Sequence, residues 1–554
     1  FRIDASGITL ITPRADKGQG AHSIQAYLLA EELDIDPLTV ALSPGRPDPA
    51  YYNGAVLDES APGLGHFLGK MLGMQLTGGS STVPDLYERL REAGAVARET
   101  LKQVAADRFE LSRDQLSTRD AAVVLPDGNR VPYTELAAAA ADQSPVTDVT
   151  LRDPSQWKYL GHPMPRVDIV DKSTGRQRYG IDVDLPDMVY ATVRTNPALG
   201  APMNGYDAAA AEGMRGVMKI APITGGVAVI ADNTWRAFRA ANAIKCDWAP
   251  GDYPADTDAM WAQLESHLEP GSRDHRRRND GDVDDALAGG DVVAATYRAP
   301  YLAHAPLEPL SATVKVTGDR VDVWTGTQIP RFVEDHVIEL TGLAREQVHL
   351  HVLPIGGSFG QRLEDTYVKQ AVETAMTMPG RPVKMTWTRE EDFSHDYPRP
   401  MAMGACRGAV RDGKVSAVDM DLVCQSLVTS WFGRLWMAPP GPDATITTGA
   451  FDQPYAIDHY RVTGYRAKEM VGVSSWRSVA ASQNGFFHEC FLDELIHAAG
   501  ADPVEERLRL CDDPVARRVL EKAAQTASWN GPDGGNGRGR GVALVSSFGV
   551  PVAE

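Results

Sequence analysis

A glycine cluster set between an alternating apolar segment and a helix-like one, "HLHVLPIGGSFGQRLEDTYVKQAVETAM" (349–376), is the feature that most limits what this chain can fold into. Glycines between a strand and a helix N-terminus bare the backbone N–H groups and allow close approach of a phosphate or another anionic oxygen. A dinucleotide-binding turn is one reading, and a purely structural strand-to-helix connection is another. Gly356, Gly357 and Gly360 stand as G-G-x-x-G rather than G-x-G-x-x-G, and no acidic residue ends a strand about 20 residues later. His349 and His351 alternate on the preceding strand and share a face, a spacing that some metal sites use, but no third ligand lies nearby in sequence. A Ser–His–Asp hydrolase has no G-x-S-x-G elbow here, and His22, His304 and His488 each read equally well as core histidines.

The chain has 554 residues, with 55 Lys plus Arg against 74 Asp plus Glu and a formal charge of −19. At roughly 100–200 residues per domain this length implies several domains with ample core. Apolar residues make up 43% and charged residues 23%, which excludes a disordered or fibrous chain. The acidic balance argues against nucleic acid or an anionic membrane surface as the main partner. No run of about 18 apolar residues predicts a membrane span. Cys246, Cys406, Cys424, Cys490 and Cys511 are scattered without a C-x-x-C pair. That pattern disfavours a zinc site, an iron–sulfur cluster or a disulfide framework in this chain and predicts buried free thiols.

Along the chain, "GITLITPRA" reads as a strand and "HSIQAYLLAEELDIDP" as a helix. A second helix, "VPDLYERLREAGAVARETLKQVAA", opens behind "TGGSST", where a Ser or Thr cap is expected. "LPDGNRVPYTELAAAAA" predicts a hairpin feeding a short helix. Residues 143–165 turn polar and proline-containing and read as a linker. Residues 166–250 are strand-rich, and strands alternate with helices from 290 to about 510. The densely charged 268–288 segment reads as a solvated loop. The last residues, "RGRGVALVSSFGVPVAE", read as one strand running to the end of the sequence.

Eight motifs occur in order: "PRADKGQGAHS" (13–23), "TGGSS" (77–81), "GIDVDLPDMVYA" (180–191), "AHAPLEP" (303–309), "WTGTQIPRF" (324–332), "GGSFGQR" (356–362), "VKMTWTREEDF" (383–393) and "SSWRSVAASQNGFFHECFLDEL" (474–495). Together they resemble the molybdenum-binding large subunit of the xanthine oxidase family. The set is most similar to the isoquinoline 1-oxidoreductase beta branch and to the large subunits of membrane-associated aldehyde dehydrogenases. The resemblance implies a mixed α/β (α+β) multidomain fold: an α/β hammerhead domain and two molybdenum-cofactor-binding domains in permuted order, because Gly18-Gln19-Gly20 stands at the front. The implied domains are 1–142 (the N-terminal part of the second cofactor-binding domain), a 143–165 linker, 166–265 (hammerhead), 266–514 (the first cofactor-binding domain) and 515–554 (the start of the second domain's C-terminal part).

The same resemblance assigns site residues. Gln328 matches a glutamine whose amide approaches the metal's oxygen ligand, an uncharged donor that holds the oxygen without protonating it. Phe359 matches a position whose backbone N–H meets an apical oxygen of the metal, with Gly357 and Gly360 allowing the approach. Ser358 replaces a usual glycine and is expected to face outward. Arg477 matches an arginine on the substrate side, suited to charge developing in a transition state; on its own it would read as a surface ion pair. Gln19 and Gly20 match pterin-bonding residues, while Lys17 stands where the family commonly has Met. Thr77, Gly78, Gly79, Ser80 and Ser81 match a cofactor-touching loop suited to a pyrophosphate oxygen. Gln483 and Asn484 are expected pterin or nucleotide contacts, with a helix N-cap as the alternative for Asn484.

The implied activity is oxidation of an aldehyde, or hydroxylation of an N-heteroaromatic ring, with water as oxygen source. The implied cofactor is molybdenum with molybdopterin cytosine dinucleotide, the metal being held by the pterin dithiolene and by no protein side chain. Electrons would leave through [2Fe-2S] clusters on a small partner subunit, with a c-type cytochrome subunit as a possible further partner. A periplasmic location is expected from the same branch, with cytoplasm as the alternative. The family's general-base glutamate, in G-x-G-E, does not occur in residues 1–554, and neither Glu308 nor Glu364 matches it. The expectation is a second polypeptide, or a further segment of chain, that carries this glutamate and pairs with the strand ending at Glu554. A nicotinamide dehydrogenase using the 356–360 turn and a non-catalytic relative are the alternatives.

Overall fold

Branched apolar residues in short alternating runs build the first of two large sheets in the computed structural model, which describes residues 1–56, 63–533 and 535–554. The order of its seven strands is Val348–Val352, Val321–Thr325, Ser311–Val316, Val383–Thr386, Val189–Thr195, Gly226–Ala231, Val217–Ile223. Gly226–Ala231 is buried at every position, as a run without polar alternation demands. The helices Pro330–Thr341 and Thr366–Met376 cover this sheet through Val333, Val337, Val368 and Val372. The sheet takes strands from both sides of residue 265, so the expected hammerhead and first cofactor-binding segments share one layer.

A second sheet, of five strands, runs Arg273–Asp280, His459–Ala467, Lys414–Gln425, Ala402–Arg411, Asp291–Ala299. The helix Ala481–Ala498 lies on it and buries Phe487, Phe491, Leu492 and Leu495. The expected solvated loop at 268–288 is therefore wrong. It forms the edge strand Arg273–Asp280 and the helix Val283–Ala288. Its arginines are used structurally: Arg278 lies over the Tyr460 ring at 4.0 Å and donates to the Tyr455 carbonyl at 2.8 Å. Long cationic side chains cover apolar surface with their stems, and this hides the strand period in the sequence.

In the front segment the strand Gly7–Ile11 and the helices Ala21–Leu33 and Thr82–Phe109 form as expected, as does the hairpin around Asp127-Gly128. Ser81 precedes the second helix but caps none of its N–H groups; its hydroxyl bonds the Gly78 carbonyl and the Asn53 amide, each at 2.6 Å. Residues 143–165 are irregular apart from the single turn Pro154–Gln156. They are tied down by two buried carboxylates: Glu31 accepts the N–H groups of Lys158, Tyr159 and Leu160, and Glu32 accepts that of Arg152 and pairs with Arg91 at 2.8 Å.

The terminal residues are not one strand, as the sequence suggests, but a hairpin of Leu544–Ser547 and Val550–Ala553. Phe548 and Gly549 both have positive φ, which matches the right-handed strand twist in a two-residue loop. Cys406, Cys424 and Cys511 are buried, Cys246 and Cys490 half-buried, and all five are free thiols. No helix among the described residues is long and apolar enough to cross a membrane.

Glu489 joins the hairpin to the second sheet's helices. It accepts the Leu544 N–H at 2.8 Å, the Tyr455 hydroxyl at 2.9 Å and the Arg507 guanidinium at 3.0 Å. Burial pushes its carboxyl up, but His488, Arg507 and the Leu544 N–H together hold it below the ordinary carboxylate range. The stabilisation is thus present above that range and is lost as pH falls through the depressed value. Glu489→Gln removes the buried partner of the fully buried Arg507, leaving it only the half-exposed Asp493, and should cost about 3 kcal/mol at neutral pH in urea unfolding, whereas Asp493→Asn should cost under about 1 kcal/mol.

Candidate functional site

The Val348–Val352 strand delivers the chain to the glycine turn, which continues through the single turn Gln361–Leu363 into the helix Thr366–Met376. Gly357 and Gly360 have φ of 100° and 120°, and Phe359 between them has φ 57°. A non-glycine residue in this region is unusual and needs surrounding structure to hold it. The Phe359 ring is 40% exposed, and its backbone N–H finds no acceptor among the described residues. Gly360 is dictated by close approach, because a Cβ there would lie 1.6 Å from the Ser475 carbonyl oxygen.

Ser358 faces inward, contrary to expectation, with 1% exposure. Its hydroxyl donates to Gln328 Oε1 and accepts the Arg362 N–H at 3.0 Å. A hydroxyl that satisfies a buried amide has reason to point in, where a glycine could not serve. Gln328 is fully buried. Its Nε2 donates to the Thr77 carbonyl at 2.5 Å, and its backbone carbonyl accepts the Thr77 N–H at 2.9 Å. Thr77 Oγ1 in turn accepts the Ala15 N–H at 2.9 Å, and Asp16 O accepts the Ile355 N–H at 3.0 Å. Four of the expected segments, 15–20, 77–81, 328 and 356–360, therefore converge through hydrogen bonds.

In the front loop Gln19 is exposed and curls back, its amide accepting the Lys17 N–H at 2.7 Å and donating to the Ala15 carbonyl at 3.0 Å. Gly20, at φ 89°, opens the helix Ala21–Leu33 without a side-chain cap. Burial pushes the Lys17 ammonium down to about 8. In the second loop Gly79 and Ser80 adopt positive φ and are exposed, and Gly79 approaches the Phe548 ring of the terminal hairpin.

Arg477 is exposed and makes no ion pair among the described residues, so the surface-pair alternative does not hold. Ser478 and Val479 after it have φ of 69° and 51°, and a branched residue in that region is strained. Gln483 is buried, its Oε1 accepting the Ser482 hydroxyl at 3.0 Å. Asn484 lies inside the helix Ala481–Ala498 and is not its N-cap. Both its amide hydrogens go to the Ile446 and Thr448 carbonyls at 2.9 Å, which leaves it a structural pin of that turn.

Some parts could not be anticipated from sequence. Glu308 accepts the Gly356 N–H at 2.8 Å and pairs with buried Arg362 at 2.9 Å beneath the turn. Glu364 pairs with Arg434 at 2.7 Å. His304 links Asp396 to the Ser475 carbonyl. These partners lie 54, 70 and 92 or 171 residues apart, beyond any local signal. His351 bonds Asp322 at 2.9 Å and stacks on Trp324, and no group of three or more His, Cys, Asp or Glu among the described residues is placed to hold a metal ion.

Residues 267–510 match the molybdopterin cofactor-binding domain family. The chain is 28% identical over 606 residues to the beta chain of isoquinoline 1-oxidoreductase from Brevundimonas diminuta, covering 100% of this chain and 75% of that protein. It is 29% identical over 532 residues to a nicotinate dehydrogenase subunit from Pseudomonas putida, covering 93% of this chain and 42% of that protein. The chain is thus similar, over a molybdopterin-binding domain and beyond it, to the subunits of such oxidoreductases.

The fold agrees with that of the aldehyde oxidoreductase from Desulfovibrio gigas at a TM-score of 0.53 and 18% identity, over 94% of this chain and 64% of that one. The chain therefore spans between 42% and 75% of the lengths of these relatives. The molybdopterin assignment fits the residues present: the glycine turn leaves the Phe359 N–H without an acceptor among the described residues, and the 77–81 loop tied to it through Gln328 exposes Gly79 and Ser80. Gly360→Ala should lower stability by more than about 2 kcal/mol in thermal unfolding, because the methyl group cannot share space with the Ser475 carbonyl. Gly128→Ala, also at positive φ but in open space, should cost only about 1 kcal/mol.

Proposed function

We propose that this chain is the large catalytic subunit of a molybdenum hydroxylase that oxidises an aldehyde to a carboxylic acid or hydroxylates an N-heteroaromatic ring with water as oxygen source. The observation that carries this reading is the convergence of Gln328, Thr77 and Ser358 around a turn whose Phe359 N–H has no acceptor among the described residues. Molybdenum with molybdopterin cytosine dinucleotide, when bound, supplies the redox chemistry and a strong oxygen nucleophile near neutral pH. The chain's own residues bind, orient and stabilise charge.

The Phe359 N–H offers a fixed donor to an anionic oxygen at the turn. Gln328 has one Nε2 hydrogen beyond the one given to Thr77 and holds the two cofactor loops in register. Gln19, Gly20 and the Thr77–Ser81 loop present backbone groups and the exposed Ser80 hydroxyl to the pterin and its pyrophosphate, and Gln483 approaches from the second sheet's helix. Arg477, with no ion pair among the described residues, stands ready to stabilise charge that develops on the substrate in the transition state.

Glu308 and Glu364 are both held in ion pairs with buried or half-buried arginines, so neither is free to take the substrate's proton. We assign that base to a chain segment or polypeptide outside residues 1–554. The reading further includes [2Fe-2S] clusters on a small partner subunit, a c-type cytochrome subunit and a periplasmic location. The names of two relatives, one a nicotinate dehydrogenase and the other an isoquinoline 1-oxidoreductase, support an N-heteroaromatic ring; the motif resemblance to aldehyde dehydrogenases supports the other substrate class.

Acid hydrolysis of the purified complex should release molybdenum and CMP in equal amounts, and stoichiometric NAD without molybdenum would overturn the assignment. Arg477→Ala should keep its molybdenum and lose about 100-fold in kcat/KM. Unchanged turnover would overturn the role assigned to Arg477, and no turnover by the molybdenum-loaded wild type would point instead to a non-catalytic relative.

A further inference from the structure

Both ring nitrogens of His304 face acceptors. Nδ1 lies 2.8 Å and 3.0 Å from the two carboxylate oxygens of Asp396, and Nε2 lies 2.9 Å from the Ser475 carbonyl oxygen. A carbonyl and a carboxylate can only accept, so each nitrogen must carry a hydrogen and the ring is an imidazolium. Its side chain is fully buried, and Asp396 also accepts the His304 backbone N–H at 2.6 Å. We infer that His304 is a positioning residue: its imidazolium, clamped between Asp396 and the Ser475 carbonyl, locks the loop bearing Arg477 onto the Gly357–Gly360 turn.

The location supports this. The carbonyl that His304 grips is the one that leaves no room for a Cβ on Gly360, and such a Cβ would also lie 3.1 Å from His304 Nε2. The loop is held at two further points, by Ser474 N–H to the Pro398 carbonyl at 3.0 Å and by Trp476 Nε1 to the Ala303 carbonyl at 3.2 Å. Beyond them come the strained Ser478 and Val479. A backbone in that conformation persists only when its surroundings hold it, so losing one clamp lets it relax and carries Arg477 away. The helix Arg389–His395 is the platform, since Asp392 receives the Gln361 amide at 2.5 Å while Asp396, at its C-terminal end, receives His304.

The charged groups acting on the ring are Asp396 and Glu364 across the turn, and Asp392 on the platform helix lies beside Asp396. Glu364 is paired with Arg434, and Asp392 with Arg389 at 3.0 Å. Burial alone would lower the His304 pKa, but the Asp396 charge and hydrogen bond, the Ser475 carbonyl and Glu364 raise it above the ordinary histidine value. The clamp is therefore intact below that raised value and is released as pH rises through it.

The role of Arg477 rests on the proposed function, but the clamp can be read separately. Trypsin cleavage of the Arg477–Ser478 bond in the purified complex, followed by mass spectrometry and normalised to a free peptide of the same sequence, reports loop release. In the wild type it should accelerate as pH rises above the ordinary histidine range. In His304→Gln and Asp396→Asn it should be about tenfold faster at the low end and flat with pH, with molybdenum content retained and kcat/KM lowered. Wild-type cleavage that is flat with pH, or variants cleaved at the wild-type rate with the wild-type profile, overturns the clamp; the first of these needs no variant to fold. Fast, pH-independent cleavage with unchanged turnover upholds the clamp and refutes the function assigned to Arg477.

Discussion

The buried amide of Gln328 is the interaction on which the site depends. It joins the Thr77 carbonyl on one side to the Ser358 hydroxyl on the other, and so ties a loop near the front of the chain to a turn about 280 residues later. An amide left unpartnered in such a place costs roughly 1–3 kcal/mol, so each of the three segments is held by the needs of the other two. Asp16 O on the Ile355 N–H and Thr77 Oγ1 on the Ala15 N–H extend the same logic to the loop carrying Gln19 and Gly20.

Around this centre the acidic chain buries a set of ion pairs that link distant segments. Arg14 and Asp85 meet at 2.5 Å with no exposure on either side, Glu308 and Arg362 lie beneath the turn, and Glu489 and Arg507 anchor the terminal hairpin. The desolvation cost of burying two charges offsets much of their attraction, so such pairs add less stability than their distances suggest. Their consequence here is register, because a slipped segment would leave an uncompensated charge inside. That selectivity suits a site assembled from backbone groups, whose positions must be set to fractions of an ångström.

Elements with local signals were readable in advance. The front helices, the Asp127-Gly128 hairpin and the strand–turn–helix around Gly357 all carry the period or the turn chemistry of what they form. The misread places share one cause, a residue whose role is set by a partner far away in sequence. Arg278 looks solvated until Tyr460 and the Tyr455 carbonyl are placed beside it. Asn484 looks like a helix cap until the 446–448 carbonyls take its hydrogens. Ser358 looks like a tolerated departure from glycine until Gln328 requires its hydroxyl.

Sequence alone determined the mixed α/β class, the strand–glycine–helix turn and, through eight motifs in order, the resemblance to molybdenum-binding subunits. These depend on local periodicity, backbone freedom at glycine and short stretches of side-chain chemistry, all of which are written contiguously. The tertiary structure decided which donors stay unpaired: among the described residues it left the Phe359 N–H and Arg477 free while consuming Asn484, Glu308 and Glu364 in internal contacts. It also set a histidine between a carboxylate and a carbonyl 92 and 171 residues away. Whether a polar group is available for chemistry depends on everything packed around it in three dimensions, and no local pattern encodes that.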